Sequence, residues 1–422
     1  MSDFGKRRGS AKRQAGVKQV RVKQTLMMAG AAARGLGEMC RDACGDVAGH
    51  SLPYRPERVA TPAGLSRLLE RGAVHPLPRP PRITAVEPLP IPSVSSNCQN
   101  LVLRLGQAGE PVLPDSLFVK LPMPSFGTRW FFSVIRSWEL ESHFFRHVAA
   151  SLPLQTPRVY ATASLRSRFF LVQENLHENS AVKLFTNPDM TLGPSLDTAR
   201  RCLDTFARLH AVHIGFDAPA RESVLPLTLH PFLSPALAGV SRSLNRLALA
   251  PCLRKRPGKI PPDIQRAYRD SIAHWDRLLA HWFDGPLSLL HGDSHLGNFY
   301  ICGEAMGMLD WQAVHWGKGI RDVQYFLINS LPAATLALHE RELVDYYVQR
   351  RAEYGAPVDR DTTWQEYRSF TFHTLFTIVV AIGFGALNEE QDALMTEVLR
   401  RAVAAVERVD YPGWLRDYLD GE

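Results

Sequence analysis

Strand-forming and helix-forming sequence are segregated along this 422-residue chain, and that separation limits the fold more than any other feature. β-Branched and aromatic runs with period-two alternation fall in the first half, at Leu101–Leu105, Ser116–Leu121, Arg158–Tyr160 and Phe169–Gln173. Residues 76–92 are crowded with proline and predict an extended approach to a sheet, not a helix. A helix is predicted to open at Thr61-Pro62, a good N-cap followed by proline, with Leu65, Leu68 and Leu69 on one face. Another is predicted over Phe131–Ala150. Helical periodicity then dominates, at Leu196–Val212, at Ile264–Phe283 and in several segments after residue 322. Two short strands, Leu287–Leu290 and Met306–Leu309, interrupt it. The expected class is therefore α/β of the α+β kind, two-lobed, with a small β-rich N-lobe, a larger helical C-lobe and a seam near residues 173–190. The expected division is a basic extension over residues 1–50, the N-lobe over 51–175 and the C-lobe over 176–422.

Hydrophobic residues make up 45% of the sequence and charged residues 22%, a globular balance that excludes a mainly disordered or fibrous chain. The formal charge of +7 suggests a nucleic-acid binder until it is located. Lys6, Arg7, Arg8, Lys12, Arg13, Lys18, Arg21 and Lys23, opposed by Asp3 alone, account for all of it, so no nucleic-acid partner is expected. The basic tail is expected to be disordered, with weak contact to an anionic membrane surface as the one partner it suggests. Six scattered cysteines without a C-x-x-C pair fit neither a disulfide framework nor a zinc ribbon and point to a reducing, cytoplasmic setting. The longest apolar run, Thr374–Leu387, is shorter than the ~20 residues of a membrane span and predicts a buried helix; no transmembrane segment is expected.

The stretch L-S-L-L-H-G-D-S-H-L-G-N-F-Y-I (287–301), followed by M-G-M-L-D-W-Q (306–312), carries the chemistry. It reads as a strand ending in a polar loop, then a second strand ending in an acid, so that Asp293, Asn298 and Asp310 emerge at the ends of neighbouring strands. Two carboxylates and an amide carbonyl are hard oxygen donors suited to Mg²⁺. One carboxylate of such a trio can instead deprotonate a hydroxyl. A divalent ion, a base and little covalent chemistry together describe phosphoryl transfer from a nucleotide.

H-G-D-x-H-x-x-N followed by an aspartate at a strand end resembles the catalytic loop and metal-binding aspartate of the aminoglycoside phosphotransferase and choline kinase group. The D-W-Q form, with Arg321-Asp322-Val323 after it, is most similar to the ecdysteroid-kinase-like branch. The resemblance implies a protein-kinase-like fold and an ATP- and Mg²⁺-dependent transfer to a hydroxyl of a small molecule. It implies Asp293 as catalytic base and Asn298 and Asp310 as metal ligands. Lys120, one of only two lysines between residues 24 and 254, would grip phosphate oxygens, held by Glu141 in E-S-H-F-F-R. Gln173, Glu174 and Leu176 would form the hinge that binds adenine, and Ser95, Ser96 and Asn97 the loop over the phosphates. His291, His295 and Asp322 would be structural residues near the site.

Two departures from that family pattern stand out. No glycine occurs between Ile83 and Leu105, where backbone N–H groups should approach phosphate, and Asn175 occupies a hinge position where aspartate is commoner. A catalytically weak nucleotide-binding pseudokinase therefore stays open. So does a metal-dependent hydrolase built on H-G-D-S-H, since histidine suits zinc.

Overall fold

The computed structural model describes residues 30–47, 49–91, 98–226, 234–385 and 387–421. Five antiparallel strands make the smaller lobe: β1 (Ile83–Leu89), β2 (Cys98–Gln107), β3 (Ser116–Pro122), β4 (Val159–Leu165) and β5 (Arg168–Glu174), in the order β1-β2-β3-β5-β4. The proline-rich approach becomes β1, an edge strand, where Pro88 is tolerated. Leu117, Val119 and Leu121 of β3 pack with Leu65, Leu68 and Leu69 into a separate small core. The period of two then turns Lys120 to the opposite face, toward the larger lobe.

The helices of this lobe are α1 (30–47), α2 (Pro56–Val59), α3 (Pro62–Arg71), α4 (Phe126–Ile135) and α5 (Ser137–His143). Thr61 caps α3 as its sequence predicts, accepting from the Gly64 N–H at 3.0 Å. The single helix expected over Phe131–Ala150 is broken. Arg136 takes left-handed backbone (φ 56°) between α4 and α5, and a π-helical turn follows at Phe144–Val148. The break accompanies the packing of Trp138 between Phe132 and Phe169, stacked at 5.2 and 5.1 Å.

The extension expected over residues 1–50 also needs correction. Residues 1–29 lie outside the described residues, but 30–47 form α1, and it is anchored. Asp42 is 1% exposed and accepts the Ser167 N–H at 3.1 Å, while Asp46 takes both terminal nitrogens of buried Arg168 at 2.5 and 2.6 Å. Sequence periodicity does not reveal this, because α1 is held by buried ion pairs and not by a long apolar face.

The larger lobe contains α6 (Asn187–Leu192), α7 (Leu196–Ala211), α8 (Ala218–Val224), α9 (Ala238–Lys255), α10 (Pro262–Ala273) and α11 (Trp275–Phe283). After the strands come α12 (Ile320–Ser330), α13 (Ala333–Glu353), α14 (Arg360–Phe384), α15 (Glu389–Arg408) and α16 (Tyr411–Asp420). Five short strands, β6 (Val182–Leu184), β7 (Ser288–Leu290), β8 (Phe299–Cys302), β9 (Ala305–Met308) and β10 (His315–Gly317), form two ribbons. β7 pairs with β10, and β8 lies between β6 and β9, so the two strands flanking the catalytic loop are not neighbours as expected. The loop between them is joined by a separate bond, from the Leu309 N–H to the Asn298 carbonyl at 2.8 Å.

Among the described residues, α14 alone is long and apolar enough to cross a membrane, and 72% of its apolar window is buried inside the protein. Phe370, Phe372 and Phe376 on it fill the main core. All six cysteines are free thiols.

Candidate active site

β3 delivers Lys120 to the gap between the lobes, and α5 delivers Glu141. The Lys120 Nζ donates to Glu141 Oε1 at 2.8 Å and to Asp310 Oδ1 at 2.9 Å. Exposure differs along this chain of charges: the side chains are 11% exposed at Lys120, 1% at Glu141 and 30% at Asp310. Burial works against the Lys120 ammonium, but the carboxylates of Asp310 and Glu141 outweigh it and hold the lysine charged. Burial pushes the Glu141 carboxyl up, against the opposing pull of Lys120. Asp310 itself adopts left-handed backbone, with φ 61° and ψ 66°, a region that aspartate visits more readily than most residues. The turn that follows lays Trp311 flat against Phe144 at 4.0 Å, tying the residue after α5 to the turn that carries Asp310.

The loop after β7 is fixed from beneath by Asp322 at the start of α12. Its carboxylate accepts the backbone N–H groups of His291 at 2.7 Å and Gly292 at 3.0 Å, and faces His210 at 3.3 Å. Burial alone would raise this carboxyl, but the hydrogen bond and charge from His210 and the charge of Arg321 hold it well below the usual carboxylate range. Gly292 is required there: its φ is +86°, and a Cβ would sit 2.1 Å from the Ala313 carbonyl oxygen. His291 is wholly committed to the loop. Its Nε2 donates to the Leu309 carbonyl at 2.7 Å while its Nδ1 accepts the Asp293 N–H at 3.3 Å. Burial depresses its basicity, which keeps this tautomer neutral. With both nitrogens engaged in the loop, His291 has no lone pair for zinc, so of the two histidines in H-G-D-S-H only His295 could serve as a ligand. No group of three or more histidine, cysteine, aspartate or glutamate side chains that could hold a metal ion occurs among the described residues.

Asp293 projects from the loop with 30% of its side chain exposed, and His295 Nε2 stands 3.9 Å from its Oδ2. Asn298 donates its amide Nδ2 to the Asp293 carbonyl at 2.7 Å, which leaves its Oδ1 as the free acceptor. With the Leu309–Asn298 bond bringing Asp310 alongside, the donors here are oxygen atoms, and they suit a hard divalent cation. At the hinge, Gln173 and Glu174 close β5 opposite Phe118 and Leu117 of β3, and Leu176 is buried in the turn that follows. Asn175, the departure from the family pattern, is used locally: its Nδ2 donates to Ser116 Oγ at 2.9 Å and its Oδ1 caps the His177 N–H at 3.2 Å. Ser95, Ser96 and Asn97 lie outside the described residues.

Two further residues bear on the loop. Burial, then the charge of Asp293, push the Tyr325 phenol up, so it stays protonated near that carboxylate. Arg321, also buried, donates to His315 Nε2 at 3.0 Å, His373 Nε2 at 2.9 Å and the Gly292 carbonyl at 3.3 Å. His315 is pushed down to about 3 by burial and by Arg321, so it accepts as a neutral ring. The position of Arg321 shortly after D-W-Q was a signal for its involvement; nothing in the sequence marked Tyr325 or His373.

A family model for the phosphotransferase enzyme family matches residues 115–368, more than half of the chain. The chain belongs to that family. Its two lobes accordingly form a protein-kinase-like fold, and the protein is a phosphotransferase of the small-molecule kinase kind. No curated protein matches the phosphotransferase by sequence. Among solved structures it is similar to a choline/ethanolamine kinase family protein from Mesorhizobium loti, at 15% identity and TM-score 0.44, covering 79% of this chain and 92% of that one. It is also similar to choline kinase LicA from Streptococcus pneumoniae, at 12% identity and TM-score 0.45, covering 78% and 94%. A Plasmodium vivax ethanolamine kinase aligns at 10% identity and TM-score 0.46, covering 79% and 83%.

Proposed function

We propose that this phosphotransferase moves the γ-phosphate of ATP to a hydroxyl of a small molecule with the help of Mg²⁺. The observation that carries the reading is the contact of Lys120 with both Glu141 and Asp310, which joins a cation from the N-lobe to an acid of the C-lobe across one cleft. In this reading Asp293 accepts the proton of the acceptor hydroxyl as its oxygen bonds to the γ-phosphorus and the bond to the β–γ bridging oxygen breaks. Tyr325, kept protonated near Asp293, is a candidate donor to its carboxylate. Lys120 neutralises oxygens of the phosphates that stay behind, and Glu141 keeps it extended. Mg²⁺, held by Asn298 Oδ1 and Asp310, would supply positive charge to the phosphate oxygens. Gln173, Glu174 and Leu176 would offer backbone groups to adenine at the boundary of the two lobes, near residue 175. Asp322 and His291 act through the loop backbone. Most of the acceleration comes from alignment and charge stabilisation.

The test is ATP consumption against a panel of amino alcohols, sugars, sterols and aminoglycosides. Turnover is expected with at least one hydroxylated class, and Asp293→Asn is expected to lower it by at least ~100-fold with ATP binding little changed. Near-normal turnover in that variant would remove Asp293 from the role of base. Saturable ATP binding with no turnover on any class would instead favour the pseudokinase reading, which rests on the glycine-free segment between Ile83 and Leu105.

A further inference from the structure

On the outer side of α5 and its π-helical turn lies a basin of about 530 Å³, walled by Arg71 of α3 and by Arg136, Glu139, His143, Arg146 and His147, with β4 as its floor. Arg136 is paired with Glu139, the one acid of the basin. Among the described residues, Arg71 and Arg146 have no carboxylate partner. Arg71 donates to the His50 and Ser51 carbonyls at 3.1 and 3.4 Å, and Arg146 to the Thr162 carbonyl at 3.0 Å. A carbonyl satisfies an N–H and steadies the side chain but leaves the positive charge uncompensated, and each guanidinium keeps further N–H groups to offer. The His143 and His147 rings lie 4.7 Å apart, one helical turn from each other. His143 donates Nε2 to the Val224 carbonyl at 3.0 Å. Burial, then the neighbouring His143 and Arg146, hold His147 below the ordinary histidine range, as expected where positive charge is in excess.

We propose that this basin binds the phosphate group of a small soluble ligand between Arg71 and Arg146. Two guanidinium-bearing side chains lining one concavity suit a doubly charged tetrahedral anion, whose oxygens can accept from both. The open basin is large enough for a phosphorylated metabolite. A duplex would need a longer basic track, and a membrane surface would need exposed apolar side chains, which these walls lack. The basin is separate from the cleft, although the helix that forms its wall carries Glu141 on its buried side.

Calorimetric titration tests the proposal, with inorganic phosphate and glycerol 3-phosphate as separate probes, on the wild-type protein, Arg146→Gln and Asp310→Ala. One saturable site is expected, weakened about tenfold in Arg146→Gln by loss of a charge-assisted contact and kept in Asp310→Ala. Tighter binding of glycerol 3-phosphate identifies an esterified ligand, and tighter binding of phosphate the free ion. No saturable binding, or binding that Arg146→Gln leaves intact, overturns the proposal. If Arg146→Gln does not fold, Arg71→Gln at an exposed position carries the same comparison. Because the readout is binding and not turnover, it holds or fails independently of the kinase reading.

Discussion

Lys120 illustrates how one side chain is made dependent on its partners. Its ammonium offsets the desolvation of Glu141, so replacing it leaves a carboxylate buried at 1% exposure with nothing to balance it. Lys120→Met is expected to cost about 3 kcal/mol of stability near neutral pH, as breaking one side of a buried pair usually does. The cost should depend on pH. A carboxyl raised above its unfolded value of 4.5 binds its proton more tightly when folded, so its contribution falls as pH climbs from that value through the folded one. The variant's deficit relative to wild type, read from melting temperatures, should therefore shrink toward pH 5 and widen toward pH 8; a deficit independent of pH would show that Glu141 is not the strained group. Asp322→Asn makes a different point. It places an N–H₂ group among the His291 and Gly292 N–H donors, so the loop should shift and kcat should fall roughly 100-fold with a smaller change in the KM for ATP. A change in KM alone would contradict the bracing role.

Among the elements, α1 departs most from expectation. Residues 1–50 look dispensable as sequence, yet Asp42 and Asp46 compensate Arg168, whose side chain is 3% exposed at the start of β5. Removing residues 1–50 is expected to lower stability by roughly 3–5 kcal/mol, the cost of stranding a buried charge, and Arg168→Met in the truncated chain should recover part of it. An unchanged denaturation midpoint after truncation would show that α1 contributes nothing. The sheet, the capped start of α3 and the apolar face of α7 were readable because each repeats a local pattern, and the buried α14 because Thr374–Leu387 is the longest apolar run. Lys120 stood out because lysine is nearly absent around it, and the H-G-D-S-H-L-G-N loop because its residue types and spacing are specific. The break at Arg136 was hidden because helical periodicity resumes on either side of it. Tyr325 and His373 were hidden because their contacts with the loop are tertiary and leave no spacing to read.

At the scale of the molecule, the lobes share one continuous apolar core, in which Trp138, Phe144 and Phe169 cluster with Phe299 and Trp311, and at the cleft they are joined by the Lys120–Asp310 ion pair and the stacking of Trp311 on Phe144. Both involve the turn at residues 310–311, so the cation of one lobe and the acids of the other share one hinge of backbone. The reading of the whole protein as a nucleotide-dependent kinase depends on that turn holding Mg²⁺ against the phosphates.

Thermal unfolding of wild type and Asp310→Ala, with ATP at about a hundred times its Kd and Mg²⁺ added or withheld, tests this most directly. Wild type should gain about 2.7 kcal/mol of stability only when ATP and Mg²⁺ are present together, and Asp310→Ala should lose that gain. Equal stabilisation of the two proteins, or none in wild type, would contradict the assignment of the cleft.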